Sequence, residues 1–158
     1  MQHDALGRRR FLQGAGFATG GFIGERWAGG APVVAQSTGQ TSAARLRELL
    51  ARGEPTRCIN CGDVATAKLA AMHGFEMVMT GGSALSLSKY GIGDFGMITV
   101  DDLVEFCNRT SDAVDLPIIA DSDDGGGNPL NVYRTIQRME KAGAACIMFE
   151  DLYGAKHL

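Results

Sequence analysis

Acidic side chains gather in two short segments of this 158-residue sequence. Asp121 and Asp123 belong to the segment Asp-Ser-Asp-Asp, and Glu150 is followed at once by another aspartate. Each segment directly follows a short apolar run with the character of a buried strand. Clustered carboxylate oxygens suit a hard divalent cation, with water and substrate completing its shell. These residues therefore predict a Mg²⁺ or Mn²⁺ site, and the alternative is a set of helix caps and solvated loop acids.

The sequence argues against three other kinds of site. An EF-hand fails because the twelfth position from Asp121 is Val132, where a bidentate glutamate is required. The glycines 125–127 lack the Gly-Lys-Ser/Thr of a phosphate-binding loop, so they indicate a turn beside a ligand. Cys58 and Cys61 form a single Cys-x-x-Cys at a predicted strand end, which favours buried structural cysteines over zinc or redox chemistry.

The elements that must position these acids alternate between helix and strand. Apolar runs predict strands at 57–61, 75–80, 116–120 and 145–149. Capping residues predict helix starts at Thr41, Asp63, Thr99 (with Asp102) and Asn128. Residues 81–98 are predicted as a long Gly/Ser-rich connection. The order indicates parallel strands with crossover helices, either a β/α barrel or an open doubly wound sheet. In both, ligands bind at the carboxyl ends of the strands.

Composition narrows the class of protein. The chain is 45% hydrophobic and 21% charged, which is typical of one globular domain. A net charge of −3 gives no basic field for nucleic acid or an anionic membrane. No apolar run reaches the ~18 residues that a membrane span needs.

The first 35 residues have the character of an export signal. Arg8 and Arg9 precede Phe11 and Leu12, an apolar Gly/Ala-rich run follows, and small residues at 33–35 predict cleavage before Gln36. Paired arginines followed by Phe-Leu resemble a twin-arginine signal. We therefore expect 1–35 to direct the protein to the periplasm and 36–158 to form the domain. A disordered basic tail on a cytoplasmic protein is the alternative.

From residue 46 onward the sequence resembles the isocitrate lyase/phosphoenolpyruvate mutase superfamily. The segments that carry the resemblance are LRELL at 46–50, PIIADSD at 117–123, GNPLNVYRT at 127–135, FED at 149–151 and GAK at 154–156. The resemblance implies a phosphoenolpyruvate mutase-type TIM barrel, of which 36–158 would supply the N-terminal half, about four β/α units. Members bind Mg²⁺, are usually homo-oligomers, and make or break C–C or C–P bonds of 2-oxo acids or phosphonates through an enolate.

The resemblance also assigns roles to individual acids. Asp121 matches the carboxylate that ligates Mg²⁺, Asp123 matches its partner, and Glu150 matches an acid that holds a metal-bound water. A metal held in this way withdraws electrons from a chelating 2-oxo carboxylate.

Substrate-side residues follow from the same comparison. Thr80, Gly81 and Gly82 match a Ser-Gly-Gly loop whose backbone N–H groups bind the substrate carboxylate. Asp94 matches an active-site acid in a mobile loop, and Lys156 matches the lysine of a gating loop.

The sequence also departs from the family pattern. Leu158 stands where the lyases carry their general-acid cysteine, which argues against isocitrate and methylisocitrate lyase activity and leaves decarboxylase, phosphonomutase and hydrolase open. Asp124 replaces a threonine, and Gly62 and Gly126 replace aromatic residues, so the substrate is not fixed.

Length gives a final expectation. A whole barrel takes about 250 residues, so we interpret the chain as a fragment, with a truncated product that pairs with another half as the alternative. We expect 36–158 alone to turn over no 2-oxo acid. The function from another class is a catalytically inactive barrel half that acts as a binding or assembly partner.

Overall fold

The structure is a computed structural model and describes residues 39–151. The predicted export signal at 1–35 and Lys156 lie outside the described residues. Within 39–151, no helix is both long enough and apolar enough to cross a membrane.

The described residues form an alternating α/β unit with five helices and four strands. The helices are α1 (Ser42–Ala51), α2 (Val64–Met72), α3 (Gly82–Tyr90), α4 (Val100–Ala113) and α5 (Pro129–Lys141). The strands are β1 (Cys58–Cys61), β2 (Met77–Thr80), β3 (Ile118–Asp121) and β4 (Cys146–Met148).

All strand pairs are parallel, and the order across the sheet is β1-β2-β3-β4. This confirms the predicted parallel sheet with crossover helices. A doubly wound sheet reverses its strand order at a switch point, whereas a barrel adds each strand beside the last one. The sequential order among the described strands is therefore that of a barrel segment.

The sheet packs one face against the helices. Ile59, Val78 and Ile118 are register partners on this face. They pack in one apolar core with Leu103 of α4 and Met139 of α5, both almost fully buried. Side chains alternate between the two faces of a strand, so every second residue belongs to the opposite face.

The opposite face, called here the inner face, carries a different row of side chains. Asn60 pairs with Met79, Met79 with Ile119, and Ile119 with Cys146. Asp121 lies on the same face, two residues further along β3. The inner face therefore carries polar side chains towards the ends of its strands.

The predicted helix starts are confirmed. The side chains of Thr41, Asp63 and Asn128 each accept a hydrogen bond from a backbone N–H in the first turn of the following helix. Thr99 and Asp102 form the predicted reciprocal capping box. Each such bond satisfies an N–H that has no partner within the helix.

The predicted connection at 81–98 is wrong over its first half, because Gly82–Tyr90 forms helix α3. Glycine and serine have weak helix propensity, and tertiary packing overrides it here. Leu85 and Ser86 are buried, and the Ser86 hydroxyl donates to the carbonyl oxygens of Ile92 and Gly93.

The predicted burial of both Cys-x-x-Cys thiols is wrong for one of them. Cys61 is buried as predicted, but Cys58 is exposed. Three positions separate the two thiols along one strand, so they point to opposite faces.

Candidate active site

Asp121 ends β3 and is almost completely buried. Its Oδ2 accepts a hydrogen bond of 2.8 Å from the backbone N–H of Gly82, and its Oδ1 accepts one of 3.1 Å from the N–H of Asp123. Two backbone donors therefore fix the orientation of this carboxylate, since Gly82 begins helix α3 and Asp123 is held by a backbone hydrogen bond from Glu150.

The residues after Asp121 are tied to the end of β4 by backbone hydrogen bonds. The N–H of Ser122 donates to the carbonyl of Met148 at 3.0 Å, and the N–H of Glu150 donates to the carbonyl of Asp123 at 2.8 Å. Asp123 adopts a left-handed conformation with φ of 46°. Such a φ is uncommon outside glycine and is found at sites where the surrounding structure enforces it. The two acidic segments are thus joined into one rigid rim.

Asp121, Asp123 and Glu150 meet at this rim. Each can offer one carboxylate oxygen, and these oxygens lie within 4.8 Å of one another. Three carboxylates at this spacing repel one another, and a shared cation relieves that repulsion. Oxygen-only donors are the set that Mg²⁺ and Mn²⁺ prefer. The structure therefore brings together the three acids that the sequence predicted, and their chemistry fits such an ion.

A glycine turn supports the rim from behind. Gly125 has φ of +75°, and a Cβ on it would lie 2.8 Å from Phe149 Cε1 and from Val132 Cγ2. The Thr135 hydroxyl donates to its carbonyl at 2.9 Å. Only glycine combines this φ with so close an approach, so the predicted glycine turn is present.

Thr80, Gly81 and Gly82 lead from β2 into α3, beside the acidic rim. Gly81 is the N-cap residue of α3 and makes no side-chain capping bond. The N–H of Gly82 donates to Asp121, so it holds the carboxylate of the rim. Thr80 is 1% exposed, and its hydroxyl has no hydrogen-bond partner within 39–151. Because the Gly82 N–H at the start of α3 donates to Asp121, the partial positive charge of this helix end faces the acids of the rim.

Asp94 lies in the exposed segment between α3 and α4, and it is not part of the three-carboxylate cluster. Lys156 is outside the described residues. The described structure thus leaves Asp94 outside this cluster.

Asn60 was missed by the sequence analysis. Its side chain lies on the inner face against Gly81, where a Cβ would fall 2.6 Å from Nδ2 and 2.8 Å from Cγ of the amide. One asparagine in a four-residue strand carries no motif. Only the register of β1 against β2 places it near the site.

The buried thiols do not add a nucleophile. Burial, together with Asp63 and Cys58, raises the pKa of Cys61 to about 11, and burial raises the pKa of Cys107 to about 12. Both are protonated at neutral pH, and the thiolate is the reactive form.

A second concavity lies between α2, α3 and α4 and has charged walls. Lys89 Nζ is 2.6 Å from Asp102 Oδ1, and Arg109 Nη2 is 2.5 Å from Glu105 Oε1. Its charges pair with one another, so it has the character of a helix-packing contact.

A sequential parallel sheet with clustered acids at its carboxyl edge defines a segment of a β/α barrel. A family profile described as phosphoenolpyruvate phosphomutase matches residues 46–157. The chain belongs to this family.

Relatives of known activity include oxaloacetate decarboxylases. The one from Pseudomonas putida (strain GB-1) is 42% identical over 106 residues, which cover 67% of this chain and 37% of the relative. The one from Chromohalobacter salexigens is 43% identical over the same length. The chain thus spans a little over a third of the length of these relatives.

Solved structures give the same result. A phosphonopyruvate hydrolase in complex with oxalate and Mg²⁺ superimposes with a TM-score of 0.67 at 31% identity, over 71% of this chain and 39% of that one. An oxaloacetate acetylhydrolase with its product oxalate gives 0.67 at 28% identity, over 72% and 40%. These neighbours confirm the predicted fold class, the parallel α/β unit of a phosphoenolpyruvate mutase-type TIM barrel.

Proposed function

We propose that this chain carries the metal-binding half of a Mg²⁺-dependent lyase, mutase or decarboxylase that acts on a small 2-oxo acid or phosphonate. The observation that carries the proposal is the meeting of Asp121, Asp123 and Glu150 within 4.8 Å at the carboxyl edge of the sheet. The decarboxylase, hydrolase and acetylhydrolase relatives support the substrate class.

Asp121 would ligate Mg²⁺ or Mn²⁺ directly, with Asp123 beside it and Glu150 holding a coordinated water. When bound, the ion would withdraw electron density from a 2-oxo carboxylate and so favour the enolate left after bond cleavage. The backbone bonds from Gly82 and Asp123 keep the Asp121 carboxylate oriented, which removes the cost of ordering it at the moment of reaction.

The segment Thr80–Gly81–Gly82 would bind the substrate carboxylate beside the metal. The N-terminal turn of α3 supplies backbone donors and partial positive charge there. We assign the closing of the site to the loop with Asp94 and to the segment with Lys156, as the family resemblance implies.

A second candidate function is that of an assembly partner without catalysis. Strands β1 and β4 each pair on one side only among the described residues. Met148 and Phe149 at the β4 edge are 37% and 38% exposed. An open parallel edge with apolar neighbours is a template for pairing with another chain. This candidate needs no metal, and that distinguishes it from the first.

For location, we propose export by the twin-arginine route through residues 1–35. Arg8 and Arg9 with the small residues at 33–35 support this proposal.

The decisive experiment joins this chain to the C-terminal part of the Pseudomonas putida decarboxylase. Pyruvate release from oxaloacetate, methylisocitrate and phosphonopyruvate is then measured with Mg²⁺. We expect turnover of at least one substrate that Asp121→Asn abolishes, and none from the 158-residue chain alone. Misplacing a catalytic group by ~1 Å can cost ~100-fold, so the incomplete site should be silent. Failure of the joined protein on all three substrates, with no Mg²⁺ binding, would contradict the proposal.

A further inference from the structure

Asn60 is a polar residue on the inner face that the fold itself does not use. Its neighbours Ile59 and Cys61 pack in the core, whereas Asn60 is exposed. Its amide makes no hydrogen bond to any residue of the described chain. A side-chain amide can offer two donors and an acceptor oxygen, and none of them is used by a residue of the described chain.

The amide is directed to the site by its contact with Gly81. A Cβ on Gly81 would fall 2.6 Å from Nδ2 of Asn60, so only glycine leaves room for the amide there. The next residue, Gly82, borders the acids from the other side: its Cβ position is 3.3 Å from Asp121 Oδ2. Two consecutive glycines therefore form a floor between the Asn60 amide and the acidic rim.

This order follows the strands across the sheet. Asn60 is on β1, the two glycines follow β2, and Asp121 ends β3. Neighbouring strands are about 4.8 Å apart, so the amide and the acid are separated by roughly two strand spacings. A ligand held at the rim by one end would lie over the glycine floor with its other end towards β1.

We propose that the Asn60 amide binds the end of the substrate that is remote from the metal. The group it would take is a carboxylate or hydroxyl on the third or fourth carbon of a 2-oxo acid. This inference rests on the proposed function, because it needs the acids to hold the other end of the same ligand. Carbon–carbon bonds of about 1.5 Å make a two-carbon dicarboxylate too short to cross the floor, whereas a four-carbon one reaches β1.

The amide would act on specificity and not on bond cleavage. It has no charge at any pH, so it favours a polar end group without stabilising charge at the reacting carbon. A methyl group in the same place would leave the amide unpaired, and sites built to hydrogen-bond a substrate group reject analogues that lack it.

The test compares two ligands that differ in reach. Oxalate has two carbons, and 3,3-difluorooxaloacetate has four; an oxaloacetate acetylhydrolase is known in complex with the latter as an inhibitor. Their affinities for the 158-residue chain are measured by calorimetry with Mg²⁺, for the wild type, Asn60→Ala and Asn60→Asp. Affinity for Mg²⁺ alone and the free energy of unfolding serve as controls for the fold.

We expect Asn60→Ala to lower the affinity for difluorooxaloacetate roughly tenfold or more and the affinity for oxalate less than about twofold. Asn60→Asp, of the same shape, should lower the affinity for difluorooxaloacetate further, because the introduced carboxylate would face the carboxylate of the ligand. Equal losses for both ligands would assign Asn60 a structural role, and no loss for either would remove it from the site; both outcomes overturn the inference. Absence of Mg²⁺-dependent binding of either ligand to the wild-type chain would also overturn this inference, whereas the proposed function is tested separately with the joined protein.

Discussion

The backbone N–H of Gly82 lies 2.8 Å from Oδ2 of Asp121, although 39 positions separate the two residues. This bond joins the start of α3 to the end of β3. The helix that begins beside the site therefore also orients the carboxylate that would hold the metal. The proposed substrate-binding and metal-binding segments are thus coupled through one hydrogen bond, so a single substitution can affect both.

Metal binding should depend on Asp121 far more than on the acid three positions later. Asp121→Asn keeps the shape and an acceptor oxygen but removes the charge, so we expect Mg²⁺ or Mn²⁺ affinity to fall roughly tenfold or more. Asp124→Asn is the matched control, because Asp124 is exposed and only caps the N–H of Gly126. Titration calorimetry measures both. Equal affinities in the two variants would mean that the acids are loop caps only.

The contact between Gly81 and Asn60 predicts that substitutions at these two positions have non-additive effects on the free energy of unfolding. Gly81→Ala places a Cβ within 2.8 Å of three atoms of the Asn60 amide and should destabilise the fold by about 1–3 kcal/mol. In an Asn60→Ala background the clash disappears, so the same substitution should cost about 1 kcal/mol less. Urea unfolding of the four proteins gives the coupling. Additive effects would show that the two residues do not touch.

The contacts of Gly82 with Asp121 and of Gly81 with Asn60 could not be predicted from the sequence, whereas other features of the fold and site could. Helix starts at Asp63, Thr99 and Asn128 follow from side chains that bond within three residues, so a local pattern is enough. The acids could be predicted to converge because parallel strands end at one edge. Helix α3 could not be predicted, because its glycine and serines disfavour a helix and the burial of Leu85 and Ser86 stabilises it. Asn60 could not either, because its role depends on register.

Asp102 should make the stability of the chain depend on pH. Hydrogen bonds from Lys89, Thr99 and Tyr90 hold the pKa of this carboxyl well below its usual range. A lowered pKa in the folded state contributes stability that is present above the ordinary value of about 3.9 and is lost as the pH falls through the lowered one. Loss of the capping interaction in Asp102→Asn should cost about 1 kcal/mol at neutral pH.

That cost should shrink below about pH 3.9, because the Asp102 carboxyl of the unfolded wild type then begins to take up its proton while that of the folded protein stays ionised. Denaturant unfolding at a series of pH values measures the gap between wild type and variant. Asp112→Asn, an exposed position on the same helix, is the control and should change stability by less than about 0.5 kcal/mol. A gap that stays constant down to about pH 3 would rule out titration of Asp102 as its cause.

Export should require the arginine pair near the N-terminus. Replacing Arg8 and Arg9 together by lysine keeps the charge but removes the pair that a twin-arginine signal needs, so the protein should stay in the cytoplasm of a bacterial host. Arg26→Lys is the matched control and should be exported normally. Cell fractionation followed by immunoblotting measures the distribution. An unchanged periplasmic yield in the double variant would rule out this route.

Of the four thiols, two should react quickly with a thiol reagent and two should be protected from it. Cys58 and Cys146 are exposed, whereas Cys61 and Cys107 are buried and have pKa values raised to about 11 and about 12. Burial also raises the pKa of Cys58, so exposure is what separates the groups: a chromogenic disulfide reagent at about pH 8 should reach the two exposed thiols quickly and the buried ones only on unfolding. Variants Cys58→Ser and Cys146→Ser should each remove one fast equivalent. A different number of fast thiols would contradict the arrangement of the sheet.

The reactivity of the two exposed thiols, Cys58 and Cys146, distinguishes the proposed metal site from the assembly partner. Cys58 of β1 pairs with Met77 of β2, and Cys146 of β4 pairs with Ile119 of β3. Both cysteines therefore lie on the inner face, one at each open edge of the sheet. If a second copy covered that face, both thiols would lose reactivity as the protein concentration rises. A metal site at the rim gives another result: Mg²⁺ would leave both thiols reactive at every concentration, because neither belongs to the carboxylate cluster. We expect the second pattern, and concentration-dependent protection would favour the assembly partner instead.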